Sequence, residues 1–278
     1  PDAATGHFLL QNIVGVWPAD GAVSEALRER LHAYATKAIR EAGVRTTWFD
    51  VETEFEQQVL NWVDALIDGP AAEIITDFAS LLHRGGIEVS LGRKTLQLAG
   101  AGVPDTYQGQ EFLDFSLVDP DNRREVDHAA HAVRLGRMIE GARPEGIGDE
   151  KLWLTHRALV LRRERPDLFQ GRDAAYHPLP TTTGHAVAFG RACGEGPVEV
   201  VTVVTRLAHG LAQRGGWGES RIGLPEGRWR DVLGGAEHEG GMVPLVELLD
   251  DSPVALLVRV GATPTGALPV PHPLEETR

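Results

Sequence analysis

The sequence has few of the features that indicate a secreted or membrane protein. Its 278 residues include one cysteine, Cys193, which cannot form an internal disulfide, so a reducing compartment and a cytoplasmic location are expected. No apolar run reaches the roughly 18 residues that a membrane span needs. Residues 1–5 have neither the basic start nor the apolar stretch of a signal peptide.

Positive charge and metal-binding patterns are also scarce. Lysine and arginine number 27 against 40 acidic residues, which gives a net charge of −13. Such a surface repels the phosphates of nucleic acids and anionic lipids, so we expect no nucleic acid and no membrane as partners, and a neutral ligand. His128 and His131 lie three residues apart with no cysteine or third histidine at a useful spacing, and no phosphate-binding glycine loop is present. We therefore expect no metal and no other cofactor.

The first 169 residues show helical periodicity. Ser24 is placed to cap a helix, and another helix is predicted to start at Thr53. Gly85 and Gly86 predict a break between two further helices, and a lone strand is predicted at 103–107. Additional helices are predicted at 126–139 and 151–165. Helices around a single strand make an incomplete fold, because one strand cannot form a sheet.

The composition changes near residue 166, where glycine and proline become frequent. Short β-rich runs alternate with turn residues from there onward, at 186–191, 198–206, 221–224, 228–232 and 254–260. This spacing predicts an antiparallel β-domain. We divide the chain into residues 1–169, a β-domain at 170–262 and a proline-rich tail at 263–278.

The segment 102–111 (GVPDTYQGQE) is the first candidate for a site. If a strand ends at Tyr107, then Gln108, Gln110 and Glu111 lie at its carboxyl end, which is the active-site face of a β/α barrel. Amides and carboxylates there hydrogen-bond sugar hydroxyls, and a tyrosine can stack on a sugar ring. The spacing leaves open a second interpretation, a turn in which Glu111 braces neighbouring backbone.

Two other segments are candidates for the same site. Residues 116–124 (SLVDPDNRR) combine aspartate, proline and asparagine in an order typical of turns, and form either a solvated surface loop or the rim of a site. Lys37 and Arg40 share one helix face, and Trp48, just beyond that helix, is placed to stack on a sugar. The alternative is a solvated helix face with a packed tryptophan.

These segments together resemble the maltooligosyltrehalose synthases of the α-amylase superfamily. Residues 102–111 match a pattern shared across the superfamily, whereas 116–124 is more specific to the synthases. The resemblance implies the C-terminal part of an eight-stranded β/α barrel, mostly helical here and with a helical insertion, followed by an antiparallel β-sandwich. It implies an isomerase that converts the reducing-end α-1,4 bond of a maltooligosaccharide into an α,α-1,1 bond by retaining intramolecular transglycosylation.

The resemblance also implies where the reacting groups are. The aspartate nucleophile, the glutamate acid/base and a third aspartate belong to earlier barrel strands, which would lie upstream of Pro1, so no catalytic residue is assigned to this chain. What the resemblance leaves here is a substrate-binding wall. It is made of Tyr107, Gln108, Gln110 and Glu111, with Lys37, Arg40 and Trp48 near the reducing-end sugar.

Three hypotheses follow for the whole chain. The first is a fragment of such a synthase, inactive alone, whose partner is the missing N-terminal half of the barrel and whose substrate is an α-glucan. The second is another amylase-type hydrolase or transferase, which the segment 116–124 disfavours. The third is a stand-alone, non-catalytic glucan-binding module.

Overall fold

The computed structural model describes residues 1–261, and the predicted tail at 263–278 lies outside them. The chain divides into two compact units, one of residues 1–86 with 107–128, the other of residues 87–106 with 129 onward. The boundaries of these units differ from the domain boundary predicted at residue 169. That domain boundary stays a prediction. No helix within residues 1–261 is long and apolar enough to cross a membrane.

The first unit is helical. It contains α1 (Ala3–Val16), α2 (Glu25–Ala42), α3 (Thr53–Asp68) and the beginning of α4 (Ala71–Ala99). The predicted cap is confirmed, because Ser24 Oγ accepts a hydrogen bond from Leu27 N at 3.2 Å. The buried face of these helices forms one apolar core, which includes Leu9, Ile13, Leu31, Val59, Val63 and Ile75.

The predicted break at Gly85 and Gly86 is wrong, because α4 runs through both glycines as one helix. A glycine in a helix interior costs roughly 1 kcal/mol relative to alanine, which weakens a helix without forbidding it. Apolar side chains anchor α4 on both sides of the glycines, Ile75 and Ala79 before them and Leu91 after them. Packing therefore outweighs the local preference.

The second unit combines short helices with a sheet. Its helices are α5 (His128–Ile139, whose first residue belongs to the first unit), α6 (Ile147–Glu164), α7 (Pro166–Phe169), α8 (Ala208–Gln213) and α9 (Leu245–Leu248). Its strands are β1 (Ala174–Pro178), β2 (Ala186–Cys193), β3 (Val200–Thr205), β4 (Arg221–Asp231), β5 (Glu237–Pro244) and β6 (Val254–Arg259).

The six strands form one antiparallel sheet in the order β1-β2-β3-β6-β4-β5. The predicted antiparallel β-domain is thus confirmed, while the second layer of a β-sandwich stays a prediction. The two runs predicted at 221–224 and 228–232 are one strand, β4, interrupted by a bulge between Leu224 and Arg228. The sequence missed β5 because glutamate, histidine and glycine obscure its alternation.

The strand predicted at 103–107 is wrong, since this stretch pairs with no strand in residues 1–261. A strand needs a neighbour to complete its ladder of N–H and C=O groups. Two backbone carbonyls in and beside this stretch accept hydrogen bonds from side chains instead. Gln97 Nε2 donates to Asp105 O at 2.5 Å, and Arg162 donates to Gly102 O, just before the stretch, at 3.1 Å.

Candidate functional site

All seven residues of the predicted wall lie in the first unit. Arg40, near the end of α2, donates two hydrogen bonds to the carboxylate of Glu56 on α3, at 2.8 and 2.6 Å. Thr46 Oγ donates to the same carboxylate at 2.6 Å. Glu56 is largely buried, and its partners are aligned as a two-pronged ion pair requires. This buried carboxylate therefore fixes the direction of the Arg40 side chain.

Trp48 lies against the guanidinium that Glu56 holds. The Arg40 guanidinium carbon is 5.0 Å from the centre of the indole ring, within the range of a cation–π contact. The tryptophan is nevertheless 53% exposed. The tryptophan is therefore packed on one side against Arg40, and part of the indole surface is available to a ligand.

Lys37 reaches from α2 to the segment 116–124. Its ammonium group donates to the backbone carbonyl of Asp119 and lies 3.7 Å from the Asp119 carboxylate. It lies equally far from the carboxylate of Glu41, one helical turn away. Lys37 consequently holds the loop instead of pointing freely into solvent.

A second cationic side chain, Arg30, fastens the same loop. Arg30 on α2 donates two hydrogen bonds of 2.7 Å to the two carboxylate oxygens of Asp121, and a third to Phe115 O. Asp121 also accepts from Leu117 N at 2.7 Å. The loop is therefore an ordered rim tied to α2. The sequence reasoning missed Arg30 and Glu56, because their partners are distant along the chain and neither belongs to a motif.

The loop also contains an unusual polar atom. The side-chain oxygen of Asn122 is buried and accepts no hydrogen bond from residues 1–261. A buried acceptor without a donor costs free energy, and such groups in native proteins call for a specific reason. A donor from outside the described residues would satisfy this oxygen.

Residues 107–111 form a tight turn. Gln108 has a φ of 36°, a left-handed conformation that few residues other than glycine adopt. Gly109 follows with a φ of 83°, and a Cβ there would lie 2.9 Å from a methyl carbon of Val126. Backbone hydrogen bonds of 2.9 Å, from Gln110 N to Tyr107 O and from Phe112 N to Gly109 O, close the turn.

The side chains of this turn have different surroundings. Gln108 Nε2 donates to Arg124 O at 3.4 Å, which joins the turn to the segment 116–124. Glu111 lies 3.9 Å from Nδ1 of His128. Tyr107 is 40% exposed. The segment 116–124 thus contacts Lys37 on one side and Gln108 on the other, whereas Arg40 and Trp48 form a cluster of their own.

The two carboxylates that hold Arg40 and Arg30 have lowered pKa values. The hydrogen bonds from Arg40 hold the pKa of Glu56 below its ordinary value. Burial alone would raise the pKa of Asp121, but the hydrogen bonds from Arg30 and Leu117 outweigh it, so that this pKa is also lowered. Both groups are therefore anions that hold cations in place. An acid catalyst needs the opposite, a raised pKa.

Comparison with known proteins gives one consistent result. No family model matches the chain. A protein of Mycobacterium tuberculosis, provisionally assigned as a maltooligosyl trehalose synthase, is 43% identical over 265 residues, which is 94% of this chain and 32% of that protein. The chain thus spans about a third of the length of the curated relatives that it matches.

Solved structures agree. The maltooligosyltrehalose synthase from Arthrobacter ramosus is 40% identical with a TM-score of 0.78, over 91% of this chain and 32% of that one. A hypothetical maltooligosyl trehalose synthase from Sulfolobus tokodaii is 27% identical with a TM-score of 0.67, over 92% and 32%. The resemblance predicted from the motifs is thereby confirmed: in sequence and in fold, nearly all of this chain matches about a third of a maltooligosyl trehalose synthase.

Proposed function

We propose that this chain is the C-terminal part of a maltooligosyl trehalose synthase and supplies one wall of its substrate site. The observation that carries the proposal is the 43% identity to a relative three times as long, which extends over 94% of this chain. The whole enzyme would convert the reducing-end α-1,4 bond of a maltooligosaccharide into an α,α-1,1 bond. A cytoplasmic location belongs to the same proposal and is supported by the single cysteine.

The proposed chemistry divides between this chain and the rest of the enzyme. Carboxylates upstream of Pro1 would form and resolve the glycosyl-enzyme intermediate, and their position there stays a prediction from the resemblance. The released glucose must stay bound, turn, and attack through its anomeric hydroxyl before water does. Side chains held rigidly by their neighbours suit that task, because positioning and water exclusion both depend on fixed geometry.

Lys37, Arg40 and Trp48 are proposed to face the reducing-end glucose. Arg40 and Trp48 are held against each other, and part of the indole is exposed, so that one apolar surface and one set of donors lie side by side. Tyr107, Gln108, Gln110 and Glu111 are proposed as the adjoining wall, and the strained backbone at Gln108 supports a functional role for that turn.

An exposed apolar stripe on α4 supports the view that the chain is a fragment. Ile74, Phe78 and Leu81 follow helical spacing and are 73%, 49% and 58% exposed. Apolar surface that is contiguous and uncovered marks an interaction site. We propose that the N-terminal part of the enzyme covers this stripe and contributes the strands that complete a β/α barrel, with a β-sandwich following it.

Activity measurements test the proposal. This chain incubated with maltopentaose is expected to give no non-reducing product, because the proposal places the catalytic carboxylates outside it. The chain extended by its upstream coding region is expected to form a trehalose-type linkage, detected as loss of reducing ends without loss of chain mass. Release of glucose or maltose alone would favour another amylase-type enzyme, and conversion by the short chain would contradict the proposal.

The wall residues have a separate test in the extended enzyme. Arg40→Ala and Trp48→Ala are each expected to raise the fraction of turnovers that end in hydrolysis, because the freed glucose is held less firmly. The matched control is Arg45→Ala, whose guanidinium packs over Phe55 instead. An unchanged ratio of hydrolysis to isomerisation in both variants would contradict the assignment of these two residues.

A further inference from the structure

A polar cleft of about 350 Å³ lies in the second unit, among residues that have no part in the proposed wall. Two stretches of chain line it, one that leads into β2 and one that links α8 to β4. Its lining includes Thr182, Thr183, His185, Arg214, Trp217 and Glu219. The cleft is thus built within one compact unit, at the end of the sheet where β2 begins.

Glycines hold Trp217 in this cleft. Gly216 and Gly218, on either side of it, have φ values of 92° and 51°, and a side chain at either position would strain the loop. Trp217 packs partly against the core of the sheet and is otherwise open to the cleft. Its indole N–H donates no hydrogen bond within residues 1–261. The ring therefore offers a fixed apolar surface with an unused donor at its edge.

Polar side chains of both signs surround the indole. Arg214 and Glu219 are exposed, and neither side chain is hydrogen-bonded or ion-paired within residues 1–261. His185 contacts Arg206 O through Nδ1 at 3.3 Å, and its Nε2 has no hydrogen-bond partner within residues 1–261. Thr182 Oγ1 accepts a hydrogen bond from Arg221 N at 2.8 Å, at the start of β4, and Thr183 Oγ1 accepts one from His185 N at 3.2 Å. The cleft accordingly combines unused donors with an unused acceptor.

We propose that this cleft is a binding site for a short segment of α-glucan. A glucose ring presents apolar C–H groups on its faces and hydroxyls around its rim, and each hydroxyl both donates and accepts. The indole face matches the apolar C–H groups, the guanidinium donates to hydroxyl oxygens, and the carboxylate accepts from hydroxyl hydrogens. An anionic ligand would meet Glu219 and a net charge of −13, which disfavours it. The choice of an α-glucan among neutral sugars rests on the proposed function.

The test is calorimetric titration of the full 278-residue chain with maltoheptaose. Arg214→Ala and Glu219→Gln are each expected to weaken binding by about tenfold, the usual effect of losing a hydrogen bond to a charged group. Trp217→Phe keeps an aromatic ring and is expected to weaken binding less than Arg214→Ala. The control is Arg172→Ala, an exposed arginine outside the cleft, which should change the affinity by less than about twofold.

A second comparison separates this site from the wall on the first unit. Trp48→Ala is expected to leave binding at the cleft intact. If Trp48→Ala abolishes binding while Arg214→Ala and Glu219→Gln have no effect, the cleft proposal is overturned and the proposed wall is supported. Absence of binding by the unaltered chain, or tighter binding of inorganic phosphate than of maltoheptaose, also overturns the cleft proposal. None of these binding results changes the outcome expected in the activity assays above.

Discussion

Glu56 shows how one buried residue organises a whole cluster. Its carboxylate accepts from Arg40 and Thr46 at once, and Arg40 in turn supports the exposed Trp48. Removing one partner of such a buried group leaves the others unsatisfied, which costs more than the pair contributes when intact. Glu56 is therefore a positioning residue, because it acts on the ligand surface only through Arg40.

The first prediction concerns the charge of Glu56. We expect Glu56→Gln to lower Tm by about 2–6 °C at pH 7. Because the folded pKa of Glu56 is lowered from 4.5, its contribution to stability is fully present above that pH and is lost as the pH falls through the folded pKa. The Tm difference between the variant and the unaltered chain should therefore shrink below about pH 4.5.

Thermal unfolding followed by circular dichroism between pH 3 and 7 checks this prediction. Glu54→Gln, an exposed position on the same helix, is the control and should have little effect at any pH. A Tm difference between Glu56→Gln and the unaltered chain that stays constant over the whole range would contradict the role assigned to the carboxylate.

Asp121 is the equivalent residue for the loop, and it provides the second prediction. Asp121→Asn weakens the two-pronged pair with Arg30 and the hydrogen bond from Leu117 N. We expect amide hydrogen exchange in residues 116–124 to become faster by about tenfold or more. Exchange in α3 should stay unchanged, and faster exchange there would indicate general destabilisation instead of a loosened loop.

At the scale of elements, helix α4 and the β4–β5 pair show packing that overrides local preference. Gly86 has open space around its Cα and lies within α4. Gly240, on β5, is the opposite case: a Cβ there would lie 2.4 Å from Pro225 O and 2.7 Å from Glu226 Cα, within the bulge of β4. A side chain would therefore fit at Gly86, whereas at Gly240 it would collide with the backbone of β4.

The third prediction follows from this contrast. Gly86→Ala is expected to stabilise the chain by roughly 0.5–1 kcal/mol, because α4 is continuous and alanine loses less entropy in a helix. Gly240→Ala is expected to destabilise it by about 1–3 kcal/mol, because backbone atoms of β4 must move. Gly184→Ala, with nothing within reach of the added methyl, serves as the control in a urea titration. Destabilisation by Gly86→Ala would mean that the helix is interrupted.

At the scale of the whole molecule, the exposed apolar stripe on α4 is the surface that the proposed function assigns to an interface. Ile74, Phe78 and Leu81 face outward while Ile75 and Ala79 of the same helix are buried in the core of the first unit. A helix with apolar residues on two faces is typical of one that packs on both sides. Under the proposed function, the N-terminal part of the synthase would cover this second face.

The fourth prediction tests that face. The unaltered chain should bind the dye ANS and tend to associate, and the double variant Phe78→Gln, Leu81→Gln should do both less, with little change in Tm because these side chains are already exposed. Asp77→Asn, exposed on the same helix, is the control. Equal dye binding by all three proteins would contradict the view that the stripe is an interface.

Local signals in the sequence by themselves determined several features of this protein. The Ser24 cap, the β-rich runs and the motif 102–111 each depend on residues within a few positions of one another, and they sufficed to predict helix α2, the antiparallel sheet and the resemblance to maltooligosyl trehalose synthases. Only the tertiary structure decided which side chains meet. Arg30 and Asp121 are 91 residues apart, and Arg40 and Glu56 belong to different helices. The continuity of α4 and the unpaired stretch at 103–107 depend likewise on distant partners, since packing and strand pairing join groups that no local pattern connects.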